Sequence, residues 1–475
     1  MSTEDIIAKA LRPEVQAKAT AGMAAVINAK GELGALGFGH PAPGSDEPLS
    51  ANAVFRIASM SKSFLAALAH VLHDDGVINL HRPVDEVLPE FRLLWNGTPA
   101  SVTVHDLLSN RAGLPEDNAW GDRNIGMSRD DFAAMCEAGL QLAAAPGTSY
   151  QYSNIGQAIA GAVIEEQTGE TVDDLVRELF IEPLGLTHTA YRPEELPADA
   201  VVIGGMRTFD DGKTFTPEPF VGAGALSCIA GLFSTIIDVS VWMRYLSAGF
   251  ERPDARPQRL TQESRREMQS AHTVIPLTVE QSQRLSGLGY AHGLVVEQHR
   301  RFGRIVQHSG GLPGFSSHMR WHPASGTSVV VFGNSDSFGA GDRAREILDS
   351  VLAEQEVTDA AALWPPSLAA AERVDDIVCG GRSFDELGEF AADNLLRDVP
   401  AADRQRKLDD LVAEVGAVAA SQKPFSERMR STGNAAEVQW QIACENGSLT
   451  CTARMTPHFE PLLQSVAIVK TAKTS

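Results

Sequence analysis

Ser59 and Lys62 stand three residues apart in the stretch Ser59-Met60-Ser61-Lys62. At the first turn of a helix, that spacing puts a hydroxyl and an ammonium on one face. The following segment, Phe64-Leu65-Ala66-Ala67-Leu68-Ala69-His70-Val71-Leu72, is apolar. Lys62 is therefore expected to be buried, where desolvation lowers the pKa of an amine. A neutral amine within hydrogen-bond reach can take the hydroxyl proton and leave an alkoxide-like nucleophile. The helix N-terminus adds partial positive charge near a developing oxyanion. A Ser/Lys pair at this spacing also occurs on solvated helices, where the serine is only an N-cap. Here no other lysine has a serine three residues before it.

Two further triplets occur once each. Tyr152-Ser153-Asn154 offers a phenol able to shuttle a proton and an amide able to hydrogen-bond substrate and lysine. The same triplet is also a good N-cap for the helix after it, and both readings hold together at a loop entering a buried helix. His308-Ser309-Gly310 is expected on an edge strand lining a cleft. There Gly310 would let a substrate backbone approach closely. The Gly311 N–H would share an oxyanion with the Ser59 N–H.

The elements that must position these residues read as follows. Residues 1–20 form a helix, with Ile6, Ile7, Ala10 and Leu11 at helical spacing. A strand pair follows over Gly22–Gly39. The helix after Ser59 ends near Gly76, and Asn154–Thr168 is a second buried helix stopped by Gly169. Short helices are expected at Val104–Ser109 and Arg129–Cys136, and another helical stretch over Gly231–Leu246. Strands then come at Leu288–Glu297, Arg304–Gly310, Ser316–His322 and Thr327–Asn334, with a closing helix at Asp342–Glu354. Strands at both ends with helices between predict an antiparallel sheet completed by both termini of the domain. Trp364-Pro365-Pro366 reads as a boundary, because a proline pair interrupts helices and strands alike. The expected domains are residues 1–360, with a helical insertion at about 80–215, and a small α+β unit at 367–475. The small unit reads as helices at Ser383–Asp398 and Asp403–Ala420. Its strands are Ala436–Cys444 and Ser448–Thr456 around a Glu445-Asn446-Gly447 turn, and a last strand Leu463–Lys470.

Composition narrows the function classes. The 475 residues carry 40 Lys+Arg against 61 Asp+Glu, a net charge of −21, with 43% apolar residues. This is an ordinary globular balance. The acidity argues against nucleic acid as a partner and disfavours an anionic membrane surface. No apolar run reaches the roughly 18 residues needed to span a bilayer. Met1-Ser2-Thr3-Glu4-Asp5 lacks the basic and apolar regions of a secretory signal. Five scattered cysteines without CxxC spacing fit a reduced cytoplasm. Cys444 and Cys451 flank a hairpin turn, are expected across from each other, and are read as free thiols. No zinc motif is present, and no G-x-S-x-G elbow.

The ordered set Ser59-x-x-Lys62, Tyr152-x-Asn154 and His308-x-Gly310 resembles the serine β-lactamase and penicillin-binding-protein superfamily. More narrowly, it is similar to the β-lactamase-related serine hydrolases: class C-like enzymes, D-aminopeptidases, DD-peptidases and family VIII-type esterases. The surrounding stretches Phe55–Lys62, His105–Pro115, Pro146–Asn154 and Gly231–Thr235 carry the same likeness, which covers roughly residues 5–355. It implies an α/β (α+β) fold, with an antiparallel sheet flanked by helices, an all-helical part, and the small α+β domain after it. It also implies a serine hydrolase that forms an acyl-enzyme on Ser59. Lys62 and Tyr152 would move the proton, with their shares left open. Asn154 would orient Lys62 and the acyl group, and His308, Gly310 and Gly311 would contact substrate. Asn110 and Ala112 depart from the usual residues of the family. His308 replaces a lysine, which makes true β-lactamase activity unexpected and points to the D-aminopeptidase and esterase branches. The expected substrate is a small molecule or short peptide, foremost a D-amino-acid-type peptide or amide. A family VIII-like carboxylesterase is the alternative. An acyltransferase and a non-catalytic binding protein on the same fold are the further ones. No cofactor is implied, and a homo-oligomer is compatible with the reading.

Overall fold

The computed structural model describes residues 1–42, 45–251, 258–357, 363–430, 432 and 434–471. The chain divides into two compact units, Met1–Val357 and Thr358–Ser475.

The first unit is built on an eight-stranded sheet whose neighbours all pair antiparallel. Its order is Thr273–Val274, Leu285–Tyr290, Val295–His299, Gly303–Leu312, Phe315–His322, Thr327–Gly333, Ala21–Ile27 and Leu33–Gly39. The early strand Ala21–Ile27 lies between the late strand Thr327–Gly333 and its own hairpin partner, with Ala24 facing both Val331 and Leu36. Both ends of the unit therefore complete one sheet. Helices Thr3–Lys18 and Ala340–Glu354 cover one face through Ile7, Leu11, Ile347 and Leu348. Ser2 and Asp5 form a capping box at the first of these helices.

The other face packs on helices Lys62–Asp74 and Ile236–Ser247, joined by Phe64 stacked on Trp242 at 3.9 Å. Lys62–Asp74 is buried from Lys62 to Leu72, as its nearly continuous apolar sequence requires. The intervening part carries helices Val104–Leu108, Asn118–Gly121, Arg129–Ala138, Asn154–Thr168 and Val172–Val176. It is not all-helical. Leu93–Trp95 pairs with Thr98–Ala100 and Leu140–Gln141, and Met206–Arg207 with Thr216–Pro217.

Other local expectations change. The strand expected over Leu288–Glu297 is two strands folded about Ala291–Leu294, where the Ala291 N–H donates to the Leu294 carbonyl. Gly293, at φ 64°, makes that reversal possible, and the apolar residues around it hide the turn. Gly231–Leu246 begins as a strand, Phe233–Ser234 paired with Phe55–Arg56. Thr235 then caps the helix that follows.

In the second unit, Pro365-Pro366 opens helix Pro365–Gly380 rather than interrupting structure. Proline suits the first helical turn, whose N–H groups have no intrahelical partner. The helix expected at Ser383–Asp398 is instead a 3-10 segment, Phe384–Phe390, broken at Gly388, and a short helix Leu395–Asp398. The next helix runs over Ala401–Val415. A four-stranded antiparallel sheet follows: Met429–Arg430, Glu437–Cys444, Gly447–Met455 and Leu463–Lys470. Cys444 pairs with Gly447 and Cys451 with Trp440, so the two cysteines are not opposite each other. All five thiols are free. Among the described residues, no helix is long and apolar enough to cross a membrane.

Candidate active site

Ser59 lies just ahead of the helix, not in its first turn. Residues Ala58–Ser61 form a 3-10 turn, and the α-helix begins at Lys62. In a 3-10 turn the residues i and i+3 are eclipsed, which brings the Lys62 side chain directly over Ser59. Ala58 is left-handed, at φ 51°. That conformation costs a non-glycine residue about 1–3 kcal/mol and persists only where the surroundings enforce it. Here they do so through several hydrogen bonds. The Ser317 hydroxyl donates to the Ile57 carbonyl at 2.7 Å, the Ser61 hydroxyl to the Ala58 carbonyl at 2.7 Å, and the Leu232 N–H to Ser61 Oγ at 3.2 Å.

Lys62 is fully buried. Its Nζ donates to Ser59 Oγ at 2.9 Å, Asn154 Oδ1 at 2.7 Å and the Ile229 carbonyl at 3.2 Å. Three acceptors match the three N–H bonds of an ammonium. Burial nevertheless brings the amine down to about 8, against the opposing charges of Asp122 and Asp117. The Tyr152 ring lies under the amine, its centroid 5.0 Å from Lys62 Nζ, and burial drives its pKa well above the ordinary value. Desolvation thus pushes the amine toward its free base and keeps the phenol protonated.

Asn154 opens helix Asn154–Thr168, whose N-cap Ser153 accepts from the Gly156 N–H. Both readings of the triplet therefore hold. Asp117 also holds this helix end, accepting from the Asn154 N–H at 2.6 Å, the Ile155 N–H at 2.9 Å and the Ser153 hydroxyl at 3.1 Å. The Asn154 side-chain NH₂ donates to Asn118 Oδ1. The departure at Asn110 has a function in this packing. Its carbonyl accepts from the Gln151 N–H and its side-chain oxygen from the Ser153 N–H, so it holds the chain on both sides of Tyr152.

His308 is on strand Gly303–Leu312, an interior strand rather than an edge. Its neighbour Val295–His299 pairs only as far as Gln307, so from His308 onward the strand is open on that one side. His308 is buried, with Nδ1 2.6 Å from the Ser309 carbonyl and Nε2 3.0 Å from the Tyr290 hydroxyl. A carbonyl only accepts, so Nδ1 carries the proton and Nε2 accepts from Tyr290. Burial, then the Lys62 charge, lowers His308 to about 3, and the ring is neutral. The Cβ side of Gly310 is turned toward the Ser59 turn. A side chain there would come within 2.2 Å of both the Ile57 carbonyl and Ser317 Oγ. Its bare Cα lets the sheet pack against the turn that carries Ser59. Gly311 is exposed, with nothing within 4 Å of its Cβ position.

Ser59, Lys62, Tyr152 and Asn154 are thus brought together, with the His308 ring 6.2 Å from that of Tyr152. The sequence reading missed Tyr290, Tyr150, Asp117 and Asp122. Tyr290 lies 5.8 Å from Tyr150 and 6.0 Å from Tyr152 by ring centroids, so three of the five tyrosines in the chain gather here. Tyr150-Gln151-Tyr152 was the one visible hint. Burial raises Asp122 to about 6, against the Lys62 charge. It lines a groove of about 380 Å³ with Ala119, Gly311, Leu312 and Ser316. The arrangement can activate a hydroxyl through a buried amine beside a phenol that holds its proton.

A family model described as Beta-lactamase matches residues 7–353. The chain is 27% identical over 342 residues to an unguisins hydrolase of Aspergillus violaceofuscus, spanning 66% of this chain and 59% of that protein. It is 25% identical to penicillin-binding protein 4* of Bacillus subtilis, over 59% of this chain and 61% of that one. The chain thus covers about three fifths of the length of these relatives. Among solved structures, an octameric penicillin-binding protein homologue from Pyrococcus abyssi superposes with a TM-score of 0.63 at 18% identity, over 98% of both chains. EstCE1, a hydrolase with promiscuous acyltransferase activity, gives 0.60 at 18%, over 74% of this chain and 98% of that one. A D-stereospecific amidohydrolase from Streptomyces sp. gives 0.57 at 21%, over 72% and 97%. The fold is of the β-lactamase/transpeptidase-like type.

Proposed function

Since the chain belongs to the beta-lactamase family, whose members are generally hydrolytic serine enzymes, we propose that it is a serine hydrolase working through an acyl-enzyme on Ser59. The observation that carries this reading is the buried Lys62 amine, 2.9 Å from the Ser59 hydroxyl. In the mechanism, free-base Lys62 takes the Ser59 proton as Oγ attacks an amide or ester carbonyl. Asn154 holds the amine in place. Tyr152 donates to the leaving group and is reprotonated through Lys62. The Ser59 and Gly311 N–H groups stabilise the tetrahedral oxyanion. Water then releases the acyl group by the reverse path.

For the substrate, we propose a small molecule or short peptide with a D-amino-acid-type amide. Neutral His308 provides no fixed cation for a free carboxylate. Resemblance to the D-stereospecific amidohydrolase supports the same class. Ester cleavage, with acyl transfer to an added alcohol or amine, is the second reading, favoured by the likeness to EstCE1. Five free thiols support a reducing, cytoplasmic setting. The octameric relative supports a homo-oligomer, which light scattering would size.

The test is labelling by a fluorophosphonate, together with turnover of D- and L-amino-acid anilides and short-chain esters. Labelling lost in Ser59→Ala, with D-anilide turnover exceeding both others, is the expected result. Turnover by Ser59→Ala equal to the unsubstituted chain would leave a non-catalytic binding protein as the better reading.

A further inference from the structure

Thirteen histidines occur in the chain. Six of them, His70, His73, His81, His105, His272 and His292, form one connected set of ring contacts. They come from distant parts of the first unit. His70 and His73 are on helix Lys62–Asp74, His105 on Val104–Leu108, His272 just before strand Thr273–Val274, and His292 in the Ala291–Leu294 turn. None takes part in the chemistry proposed above. His70 lies eight residues beyond Lys62, about 12 Å along the helix at 1.5 Å per residue.

The ring nitrogens at the centre lie close together; the His272 ring is stacked on that of His292 at 4.1 Å, so binding one ion turns one ring out of that stack. His105, His272 and His292 each offer a ligating atom within 4.8 Å of the others. His292 Nε2 is 3.0 Å from His105 Nδ1. Two ligands each about 2.1 Å from one metal ion, at angles of roughly 90–110°, stand roughly 3.0–3.4 Å apart. Two of the three remaining nitrogens are engaged as metal-bound imidazoles require. His292 Nδ1 is 2.9 Å from His70 Nε2, and His272 Nε2 is 3.2 Å from the Glu267 carbonyl. Since that carbonyl only accepts, His272 Nε2 carries the proton and its Nδ1 is a bare lone pair.

We propose that His105, His272 and His292 bind one divalent transition-metal ion of the zinc type, with His70 and the Glu267 carbonyl orienting two of the rings. The three ligands are imidazoles, which suit Zn²⁺, Co²⁺ and Ni²⁺ rather than Ca²⁺ or Mg²⁺. Exposed His81, its ring 5.1 Å from that of His105, marks the side from which a fourth ligand or water enters. The role is structural. Gly293 packs so closely on the catalytic helix that a side chain there would come within 2.4 Å of the Lys62 carbonyl. A metal held by the adjacent His292 therefore clamps this turn, helix Val104–Leu108 and the segment at His272 behind the helix that begins with Lys62.

The test uses the full chain without a histidine tag, stripped with chelator and titrated with Co²⁺. One equivalent per chain is expected, with visible d–d absorption bleached by Zn²⁺ and a rise in melting temperature. His105→Gln/His272→Gln, both at half-buried positions, should weaken binding by at least about tenfold. Should that variant not fold, His272→Gln alone gives the same reading. Ser59→Ala should bind as tightly as the unsubstituted chain, which separates this proposal from the hydrolase reading. Substoichiometric Co²⁺ without d–d bands, or equal binding by the folded histidine variants, would overturn it and leave a network of neutral imidazoles.

Discussion

The Ser317 hydroxyl donates to the Ile57 carbonyl at 2.7 Å across 260 residues. This bond fastens the strained turn that carries Ser59 to the central sheet, and Gly310 fits beside it without a side chain. The nucleophile is thus placed by the sheet as much as by its own helix.

Gly310→Ala should therefore damage the site from behind. The added methyl meets backbone as well as a hydroxyl, so the turn must shift. A loss of about 1–3 kcal/mol is expected, with a fall in kcat at unchanged secondary structure by circular dichroism. Gly311→Ala, with open space at its Cβ, should keep the melting temperature and act on KM and kcat alone.

Lys62→Met should reduce kcat/KM by about 10²–10⁴-fold, the range for losing a positioned base. Because a buried ammonium is penalised most below its folded-state pKa, any stability gained by removing it should be largest below pH 8 and shrink above it. The lysine is held at about 8 by burial, below its ordinary value, so the unfolded chain binds the extra proton between those limits. Stability from this group accordingly rises with pH from about 8 upward and is penalised below it. Activity should rise through the same range as free-base Lys62 accumulates, and a pH–rate profile with parallel denaturation curves checks both.

Tyr290→Phe removes the donor to His308 Nε2 and leaves a buried lone pair unpartnered. A loss of about 1–3 kcal/mol is expected, together with an upward move of the His308 titration followed by NMR as the imidazole becomes easier to protonate. In the unsubstituted chain, His308 and His70 are both lowered to about 3 by burial. The unfolded chain alone takes up those protons, so stability falls as pH drops below the usual histidine range toward 3.

Asp117→Asn keeps the shape but removes the charge that accepts from Ser153, Asn154 and Ile155. A loss of about 1–2 kcal/mol is expected from the weakened helix end. Because Asn154 is on that end, kcat/KM should fall further than the melting temperature alone explains, and paired calorimetry and kinetics test this.

Local chemistry was legible in the residues themselves. The three-residue Ser/Lys spacing, the N-cap at Ser153 and the apolar run after Lys62 each depend on neighbours within one or two turns. Interactions of that range leave a periodic or capping signal. So did the sheet closed by both ends of its unit, since alternating strands flank a helical middle. The turn at Gly293 and the proline-led helix at Pro365 were obscured because the same residue types both break and begin elements. Only the tertiary structure decided the partners. Lys62 meets Asn154 across 92 residues and His70 meets His292 across 222. Tyr290 and His308, eighteen residues apart, meet on different strands of one sheet. Such pairs are chosen by how faces pack and strands register, and no local spacing records that choice. It is burial, set by the same packing, that lowers one amine to about 8 and leaves several imidazoles uncharged.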